Sequence, residues 1–246
     1  MFSPFIFSAF VLGACAAVIP ETLAKRANPT IIPSTVFNDY STFESYFNYL
    51  YPWGSDHNGA ARMVGNSSNH DHIAIKTSGT LTLTAQPVSG QPPTSSGLAI
   101  KYLSGTVYAK NPLTVTKGGG YDISGSFQAT TTKGTWPAFW LTATKGWPPE
   151  IDIAEWKGSG KISFNTFNTS SQVTATDVNY PNPSQFHDVK AELRDENGSD
   201  VSITFYLDGK KVVQQVGKGY VGAGFWLIMD LQMEGSSGSP GPTTGE

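Results

Sequence analysis

Apolar and polar residues alternate along most of this chain, in short runs that turn residues separate. The runs with this pattern are residues 73–76, 80–84, 98–102, 106–109, 121–127, 138–141, 162–167, 188–193, 201–207, 211–214 and 224–230. A period of two predicts β-strands that bury one face. Glycine-containing turns at 118–120, 197–198 and 208–209 lie between them. Many short strands with regular turns predict an all-β sandwich or jelly roll.

One segment near the start has a helical pattern instead. Ser41 and Glu44 have the spacing of a capping box, and apolar residues recur at helical intervals over 43–50. Pro52 follows and cannot continue a helix. The sequence therefore predicts one helix that begins at Ser41 and ends before Pro52.

The first residues have the pattern of a targeting segment. Residues 1–17 contain an apolar run followed by small residues, which predicts a signal peptide that is too short to span a membrane. A dibasic pair at 25–26 predicts a possible pro-segment over 18–26. We therefore expect a secreted, extracellular protein with one catalytic domain over 27–246 and no membrane partner. Its Ser/Gly/Pro-rich end, residues 235–246, should be irregular.

Composition supports one domain and excludes several function classes. The 246 residues are enough for a single β-sandwich domain. A net charge of −3, with only 14% charged residues, offers no basic surface for nucleic acid. The sole cysteine, Cys15, lies in the predicted signal peptide, which excludes disulfides and thiol chemistry from the mature domain. Three sequons predict N-glycosylation at Asn66, Asn168 and Asn197, of which we expect one or two to be used.

Three acids occur within six positions, Glu150, Asp152 and Glu155. Alternation in a strand points Glu150 and Asp152 to one face, and a β-bulge near Ile153 and Ala154 would return Glu155 to that face. The outer acids would then be about 13 Å apart at their Cα atoms and about 5 Å apart at their carboxyl groups, since each side chain can lean inward. That spacing fits retaining glycosidases better than inverting ones. A solvated edge strand or a calcium site would explain the same pattern without catalysis.

Aromatic residues crowd the approach to these acids. Trp136, Trp140 and Trp147 are candidates for stacking on the apolar faces of sugar rings, although aromatic side chains more often fill a core. We expect Trp136 and Trp147 in a groove and leave Trp140 open between groove and core. Asn165, on the following strand, would lie beside the acids as a hydrogen-bond partner for sugar, unless it is an ordinary polar strand residue.

Metal and cofactor signals are weak. His70 and His72 could ligate a metal from one strand face, but no third ligand is evident, and a surface loop is the better interpretation. The Gly118–Gly120 run is not a phosphate loop, because neither Lys-Ser/Thr nor a helix follows it. We expect no cofactor and no catalytic metal, and a structural calcium ion stays possible.

These motifs resemble glycoside hydrolase family 16, over roughly residues 95–235. The resemblance is carried by residues 134–141 and 147–155, a Trp-Pro-rich approach to Glu-x-Asp-x-x-Glu, and by 101–107, 186–193 and 204–210. It implies a concanavalin A-like jelly-roll β-sandwich with a concave substrate cleft and a retaining double displacement. Glu150 would be the nucleophile and Glu155 the general acid/base. Asp152 would hydrogen-bond Glu150, and the negative pair would keep a proton on Glu155.

The resemblance also bears on the substrate. Asn165, Leu193 and Ala154 stand where laminarinase-like members of the family usually carry His, Trp and Met. We therefore lean to an endo-β-1,3-galactanase acting on a polysaccharide, as a monomer. An endo-β-1,3(4)-glucanase, a transglycosylase and a non-catalytic lectin-like binding protein remain alternatives.

Overall fold

A computed structural model describes residues 29–246. The predicted signal peptide, the whole of the predicted pro-segment and Cys15 lie outside the described residues. The elements are α1 (Tyr40–Tyr46), β1 (Phe47–Tyr49), β2 (Ala61–Met63), β3 (Ile73–Lys76), β4 (Thr80–Leu83), β5 (Gln86–Pro87), β6 (Tyr102–Ser104), β7 (Thr106–Ala109), β8 (Leu113–Thr114), β9 (Gly120–Phe127), β10 (Thr135–Ala143), β11 (Glu150–Trp156), β12 (Lys161–Thr169), β13 (Gln172–Asn179), β14 (His187–Asp195), β15 (Val201–Leu207), β16 (Lys210–Gly217) and β17 (Gly224–Met233).

The larger sheet carries the acids at its centre. Its strand order is β1-β7-β17-β10-β11-β12-β13, and β8 pairs with β17 at one end. All of these pairs are antiparallel. The acid strand β11 therefore lies between its sequence neighbours β10 and β12, and β17, from near the end of the chain, pairs with the other edge of β10.

A second sheet, in the order β16-β15-β14-β9, covers one face of the larger sheet. Phe164 of β12 and Phe205 of β15 meet between them, with ring centroids 5.5 Å apart, and both side chains are fully buried. Ile151 and Trp156 of β11 point into the same layer. The all-β sandwich predicted from the alternating pattern is confirmed, and the acids occupy the opposite, open face of the larger sheet.

The helix differs from its prediction at both ends. Its N-cap is Asp39, whose carboxylate accepts a hydrogen bond from the Thr42 amide at 2.7 Å, so Ser41 is already inside the helix. The helix ends at Tyr46, well before Pro52, because Phe47 has extended backbone and pairs with Ala109 of β7. Sheet pairing thus overrides the helical spacing of the apolar residues.

Two strand predictions were also wrong. Residues 98–101 have no strand conformation, and β6 begins only at Tyr102. In addition, β13 was missed, since its side chains are mostly exposed and its apolar alternation covers only residues 173–176. It forms by pairing with β12 along almost its whole length.

Residues 34–246 form one compact unit, and its end is held by specific contacts. Residues 235–246 have no helix or strand, as predicted. The Glu234 carboxylate accepts from the Gly241 amide at 2.7 Å and pairs with Lys101 at 2.6 Å. Glu246 exchanges two backbone hydrogen bonds with Ala85, both of 2.9 Å. Over residues 29–246, the one helix is far too short to cross a bilayer.

Candidate active site

The predicted bulge is present in β11. Asp152 pairs with Asn165 of β12 and Glu155 pairs with Ser163, so three steps along β11 match two along β12. The extra residue falls at Ile153 and Ala154, which are both fully buried. Glu150, Asp152 and Glu155 consequently all face the open side of the sheet.

The three acids lie in one cleft of about 730 Å³. Its walls come from the central strands of the larger sheet and from the segment before β2. The lining residues are Trp53, His57, Asn58, Trp136, Ala138, Trp140, Thr142, Ala143, Gly146, Trp147, Glu150, Asp152, Glu155, Lys157, Phe167, Asp230, Gln232 and Ser236. Carboxyl groups and indole rings in one open groove are suited to a sugar chain, which presents hydroxyl groups and apolar ring faces.

Glu150 lies at one end of the acid row, beside Trp147. The Trp147 indole N–H donates to the Glu150 carboxylate at 2.8 Å. Burial raises the pKa of Glu150 to about 7; the Trp147 hydrogen bond opposes this rise, and the charge of Glu155 adds to it. Trp147 is 50% exposed and stands in the groove, as predicted.

Asp152 is the most enclosed of the three acids. Burial, and then the charges of Glu155 and Glu150, raise its pKa well above the usual range. The Asn165 amide donates to Asp152 at 2.8 Å. Asp152 is therefore the carboxyl that keeps a proton most readily, which corrects the expectation of a doubly negative Glu150–Asp152 pair. Its protonated form has an O–H to donate.

Donors surround Glu155 on three sides. The Trp136 indole N–H donates at 2.6 Å, the Asn165 amide at 2.8 Å, and the Lys157 ammonium lies 2.8 Å away. Lys157 was not predicted, although its spacing of two from Glu155 was a usable signal for one strand face. These three donors fix the position of the Glu155 carboxyl group in the cleft.

Asn165 lies beside the acids, as predicted, but not as a sugar contact. It is 1% exposed, and its amide nitrogen donates to both Asp152 and Glu155. The side chain therefore holds the two carboxyl groups in place from beneath, and the predicted contact with sugar is corrected to this positioning role.

The remaining tryptophans divide between groove and core. Trp136 lines the cleft, as expected. Trp140, which the sequence left open between groove and core, belongs to both. It is 5% exposed, packs in a core cluster and also lines the cleft. Trp156 points away from the acids and is fully buried.

Sequence reasoning missed one wall of the cleft, formed by residues 51–58. Trp53 is 48% exposed and stacks on Tyr51 at 5.0 Å between ring centroids. His57 lies against Trp140 at 5.6 Å, and burial lowers its pKa to about 4, so it is neutral. No local pattern marked this segment, because it has neither strand nor helix periodicity.

The cleft also contains a carboxyl that was not predicted, that of Asp230 on β17. It is 5% exposed and accepts a hydrogen bond from the buried Tyr51 hydroxyl at 2.5 Å. Asp230 ends the predicted strand 224–230, and its parity along that strand was the one signal that could have been used.

The two histidines considered as metal ligands serve packing roles. His70 stacks on Tyr40 at 3.7 Å between ring centroids, and a ring nitrogen of His72 bonds the Thr84 carbonyl at 2.8 Å. Within residues 29–246, no group of three or more His, Cys, Asp or Glu side chains is arranged to hold a metal ion. A structural calcium ion stays an untested prediction.

The three sequons differ in how free their amide groups are. Asn66 is exposed, and only its oxygen is bonded, to the Ser68 amide at 2.8 Å. The amide of Asn197 is exposed but donates to Asp200 at 3.2 Å. Asn168 is half-buried and uses both ends of its amide, to Val216 and Lys218. Glycosylation is sterically easiest at Asn66 and stays a prediction at all three.

Comparisons with known proteins agree with this geometry. The family model "Glycosyl hydrolases family 16" matches residues 64–224. The galactan endo-beta-1,3-galactanase of Flammulina velutipes is 51% identical over 239 residues, which is 95% of this chain and 92% of that enzyme.

Solved structures share the fold at low identity. The beta-glucanase of Bacillus licheniformis has a TM-score of 0.58 and 17% identity, covering 85% of this chain and 90% of that one. A non-specific endo-beta-1,3(4)-glucanase of family 16 has a TM-score of 0.59 and 16% identity, covering 78% and 80%. The predicted family is thus confirmed by both a family model and a relative that spans nearly the whole chain, and the protein belongs to the glycosyl hydrolases of family 16.

Proposed function

We propose that this protein is a secreted, monomeric, retaining endo-β-1,3-galactanase that cuts internal linkages of a β-1,3-galactan. The observation that carries this proposal is the bulged strand β11, which places three carboxyl groups on the floor of one open cleft. The named activity of the Flammulina velutipes relative, at 51% identity over 95% of the chain, supports galactan as the substrate. An open groove suits an internal segment of a chain.

In the first step, a carboxylate oxygen of Glu150 attacks the anomeric carbon. The bond from that carbon to the glycosidic oxygen breaks, and Glu155 gives its proton to the departing oxygen. The product is a glycosyl ester on Glu150, with the shortened chain released as an alcohol. Trp147 holds Glu150 in position through its indole N–H.

In the second step, a water molecule attacks the same carbon while Glu155 takes the water proton. The ester bond to Glu150 breaks, and the sugar leaves with its original anomeric configuration. Lys157, 2.8 Å from Glu155, and the Trp136 indole N–H hold the Glu155 carboxyl group in position for this proton transfer. Protonated Asp152 would donate a hydrogen bond to Glu150 and stabilise its charge as the carboxylate leaves.

Product analysis tests the substrate. The purified protein is incubated separately with β-1,3-galactan, laminarin and mixed-linkage glucan, and product sizes are followed with time. We expect galactan to yield a mixture of medium-length oligosaccharides early, which is the signature of internal cuts. Cleavage of laminarin alone would replace galactan with glucan, and release of only mono- or disaccharides would contradict endo action.

A Glu150→Gln variant tests the chemistry. Because glutamine cannot form the ester, we expect turnover to fall by at least about 10³-fold while binding of galactan is retained. A lectin-like protein would have no turnover in either form and equal binding in both. Proton NMR of the first product should show the β-anomer before mutarotation, and an initial α-anomer would rule out retention.

A further inference from the structure

The cleft contains a fourth carboxyl group that the proposed reaction does not use. Asp230 of β17 pairs with Ala138 of β10, and Ala138 pairs with Glu155 of β11. The three residues thus form one row across the sheet and face the same side. Two strand spacings separate the backbones of Asp230 and Glu155 by about 10 Å. Only the small Ala138 side chain lies between the side chains of Asp230 and Glu155. The surface of the cleft is therefore low at Ala138, with a carboxyl group on either side.

The hydrogen bonding of Asp230 is incomplete. One oxygen accepts from the Tyr51 hydroxyl, whereas the other has no partner among the described residues. The indole N–H of Trp140, on the neighbouring strand, interacts with Asp230 and lowers the pKa of this carboxyl, but neither atom has a partner with full hydrogen-bond geometry. A weakly paired acceptor and donor therefore occur on adjacent strands of one cleft wall.

Incomplete hydrogen bonding of two buried polar groups is unfavourable in the protein without bound sugar. A buried carboxyl oxygen without a fully formed hydrogen bond costs free energy that an apolar leucine in the same strand would largely avoid. A bound hydroxyl group would remove this cost, because a hydroxyl can donate to a carboxylate and accept from an indole N–H at the same time. Sugar rings present hydroxyl groups of this kind.

Tyr51 makes the Asp230 carboxyl a fixed feature. Tyr51 is 3% exposed, and its ring is stacked on Trp53. Burial and the neighbouring Asp230 charge raise the pKa of Tyr51 well above its usual range, so its hydroxyl remains a donor. The Asp230 rotamer is therefore set before any ligand arrives.

We propose that Asp230, positioned by Tyr51, is a specificity-determining residue that binds a ring hydroxyl of the sugar unit lying against Glu150 and Glu155. This inference rests on the proposed function, since it takes the cleft to hold a β-1,3-linked galactan. Galactose and glucose differ in the direction of a single hydroxyl group, so one fixed carboxyl can discriminate between them.

A coupling experiment tests this contact. Values of kcat/KM are measured for the wild type, Asp230→Ala and Asp230→Asn on a β-1,3-galactooligosaccharide and on versions that lack one ring hydroxyl each. At pH 8, above the pKa of about 7 to which burial raises Asp230, we expect Asp230→Ala to lower kcat/KM about 10- to 100-fold on the intact substrate, as for loss of one hydrogen bond to a charged group. On the one deoxy substrate that lacks the contacted hydroxyl, the same substitution should change kcat/KM by less than about 3-fold.

Two further variants separate binding from structure. Tyr51→Phe should lower kcat/KM on the intact substrate by less than Asp230→Ala, and that loss should also shrink on the same deoxy substrate. Asp122→Asn removes one carboxylate on the exposed second sheet and should leave all ratios unchanged. If Asp230→Ala lowers kcat/KM equally on every deoxy substrate, Asp230 has only a structural role and the proposal is overturned.

Failure of the proposed function gives a different result. If the wild type does not cleave the intact galactooligosaccharide, the same set of variants and deoxy sugars is measured for binding by calorimetry. Coupling in Kd between Asp230 and one hydroxyl would support the contact in a binding protein. Equal loss of affinity for every deoxy sugar would overturn it there too.

Discussion

At the scale of single residues, the largest difference between the predicted and the observed cleft is which carboxyl groups hold protons. Burial raises the pKa of Glu150 to about 7 and that of Asp152 further above its usual range. Glu155 has three donors within 2.8 Å, one of them the Lys157 ammonium. Because Glu150 must be ionised to attack and its pKa is about 7, the ionisation of this nucleophile limits the free enzyme at low pH.

Trp147→Phe should move the acidic limb of the pH profile. The Trp147 N–H is the contact that lowers the pKa of Glu150, so its removal should leave Glu150 harder to ionise. We expect the acidic limb of kcat/KM to move upward by about 0.5 to 1 on the pH scale. The measurement is kcat/KM from pH 4 to 9 on soluble β-1,3-galactooligosaccharides.

The matched control for that measurement is Trp226→Phe. Trp226 packs on Tyr108 at 5.4 Å and is not part of the cleft. Its substitution should leave the limb where it is in the wild type. If Trp147→Phe lowers kcat/KM at every pH without moving the acidic limb, the indole contributes only sugar stacking.

At the scale of elements, the bulge in β11 is a local insertion in an otherwise regular strand. Ala138 and Phe139 of β10 pair with Glu155 and Ala154, and Trp140 pairs with Asp152. Removing one residue between 152 and 155 would leave alternation intact, with 152 and 155 on the open face and one buried residue between them. The bulge therefore accommodates one extra buried residue while Asp152 and Glu155 stay two partner steps apart on the same face.

Deletion of Ala154 should consequently give a folded protein that keeps its acids on one face. Ile153 would pair with Phe139 and stay buried, while Glu155 would stay opposite Ser163 and Ala138 and so keep its distance from Glu150 along the strand. We expect a cooperative thermal transition and measurable galactan cleavage. Calorimetry and reducing-sugar release are the measurements.

Deletion of Ile153 is the informative comparison. It yields the same strand length but places alanine where a fully buried isoleucine stood. This variant should be less stable than the Ala154 deletion by about 2–5 kcal/mol. Unfolding of both deletions would show that the bulge is required for the sandwich itself, whereas equal stability of two folded deletions would contradict the predicted cost of losing the buried isoleucine.

At the scale of the whole molecule, ionisable groups divide between the cleft and the surface. In the cleft, burial raises the pKa of Glu150 and of Asp230 to about 7. On the surface, partners lower the pKa of several carboxyl groups, as Arg62 does for Asp56. Protons bound to the cleft carboxyl groups stabilise the fold at acid pH, whereas protonation of the paired surface carboxyl groups destabilises it at still lower pH. Stability should therefore be greatest between the pH ranges in which these two sets of groups titrate.

The sign of the pH effect follows from proton binding. Between the usual carboxyl pKa, near 4, and about 7, the folded protein holds protons on Glu150 and Asp230 that the unfolded chain releases, so stability falls as pH rises. Neutral His57, whose pKa is lowered from 6.5 to about 4, partly offsets this between those values. We expect a net loss of about 2–4 kcal/mol from pH 5 to pH 8, which corresponds to about 5–10 °C in Tm.

Thermal unfolding at pH 5, 6, 7 and 8 measures this loss. Asp230→Asn removes one of the titrating groups and should reduce the fall in Tm by roughly a third to a half. A Tm that rises from pH 5 to pH 8 would contradict the protonated cleft.

Some of this architecture was accessible from local pattern. Alternation with period two gave the strands whose one face is buried, including Val201–Leu207 with both ends correct. It failed for β13, whose side chains are exposed, and for the helix, which pairing of Phe47 with Ala109 cuts short. Apolar alternation with period two predicts a strand only where one face of that strand is buried. A strand that forms by pairing alone, with both faces exposed, need not show it.

The amino-acid sequence alone determined the acid strand, its bulge and the chemistry of three carboxyl groups, because side-chain direction in a strand is a local property. Tertiary structure decided what surrounds them. The order β7-β17-β10-β11 brings Asp230 into the row of Glu155, and the N-terminal segment contributes Tyr51 and Trp53. Tyr51 and Asp230 are far apart in sequence, and no local periodicity relates positions that only sheet order makes neighbours. The charge states follow the same division, since they depend on burial and on partners that the folded chain supplies.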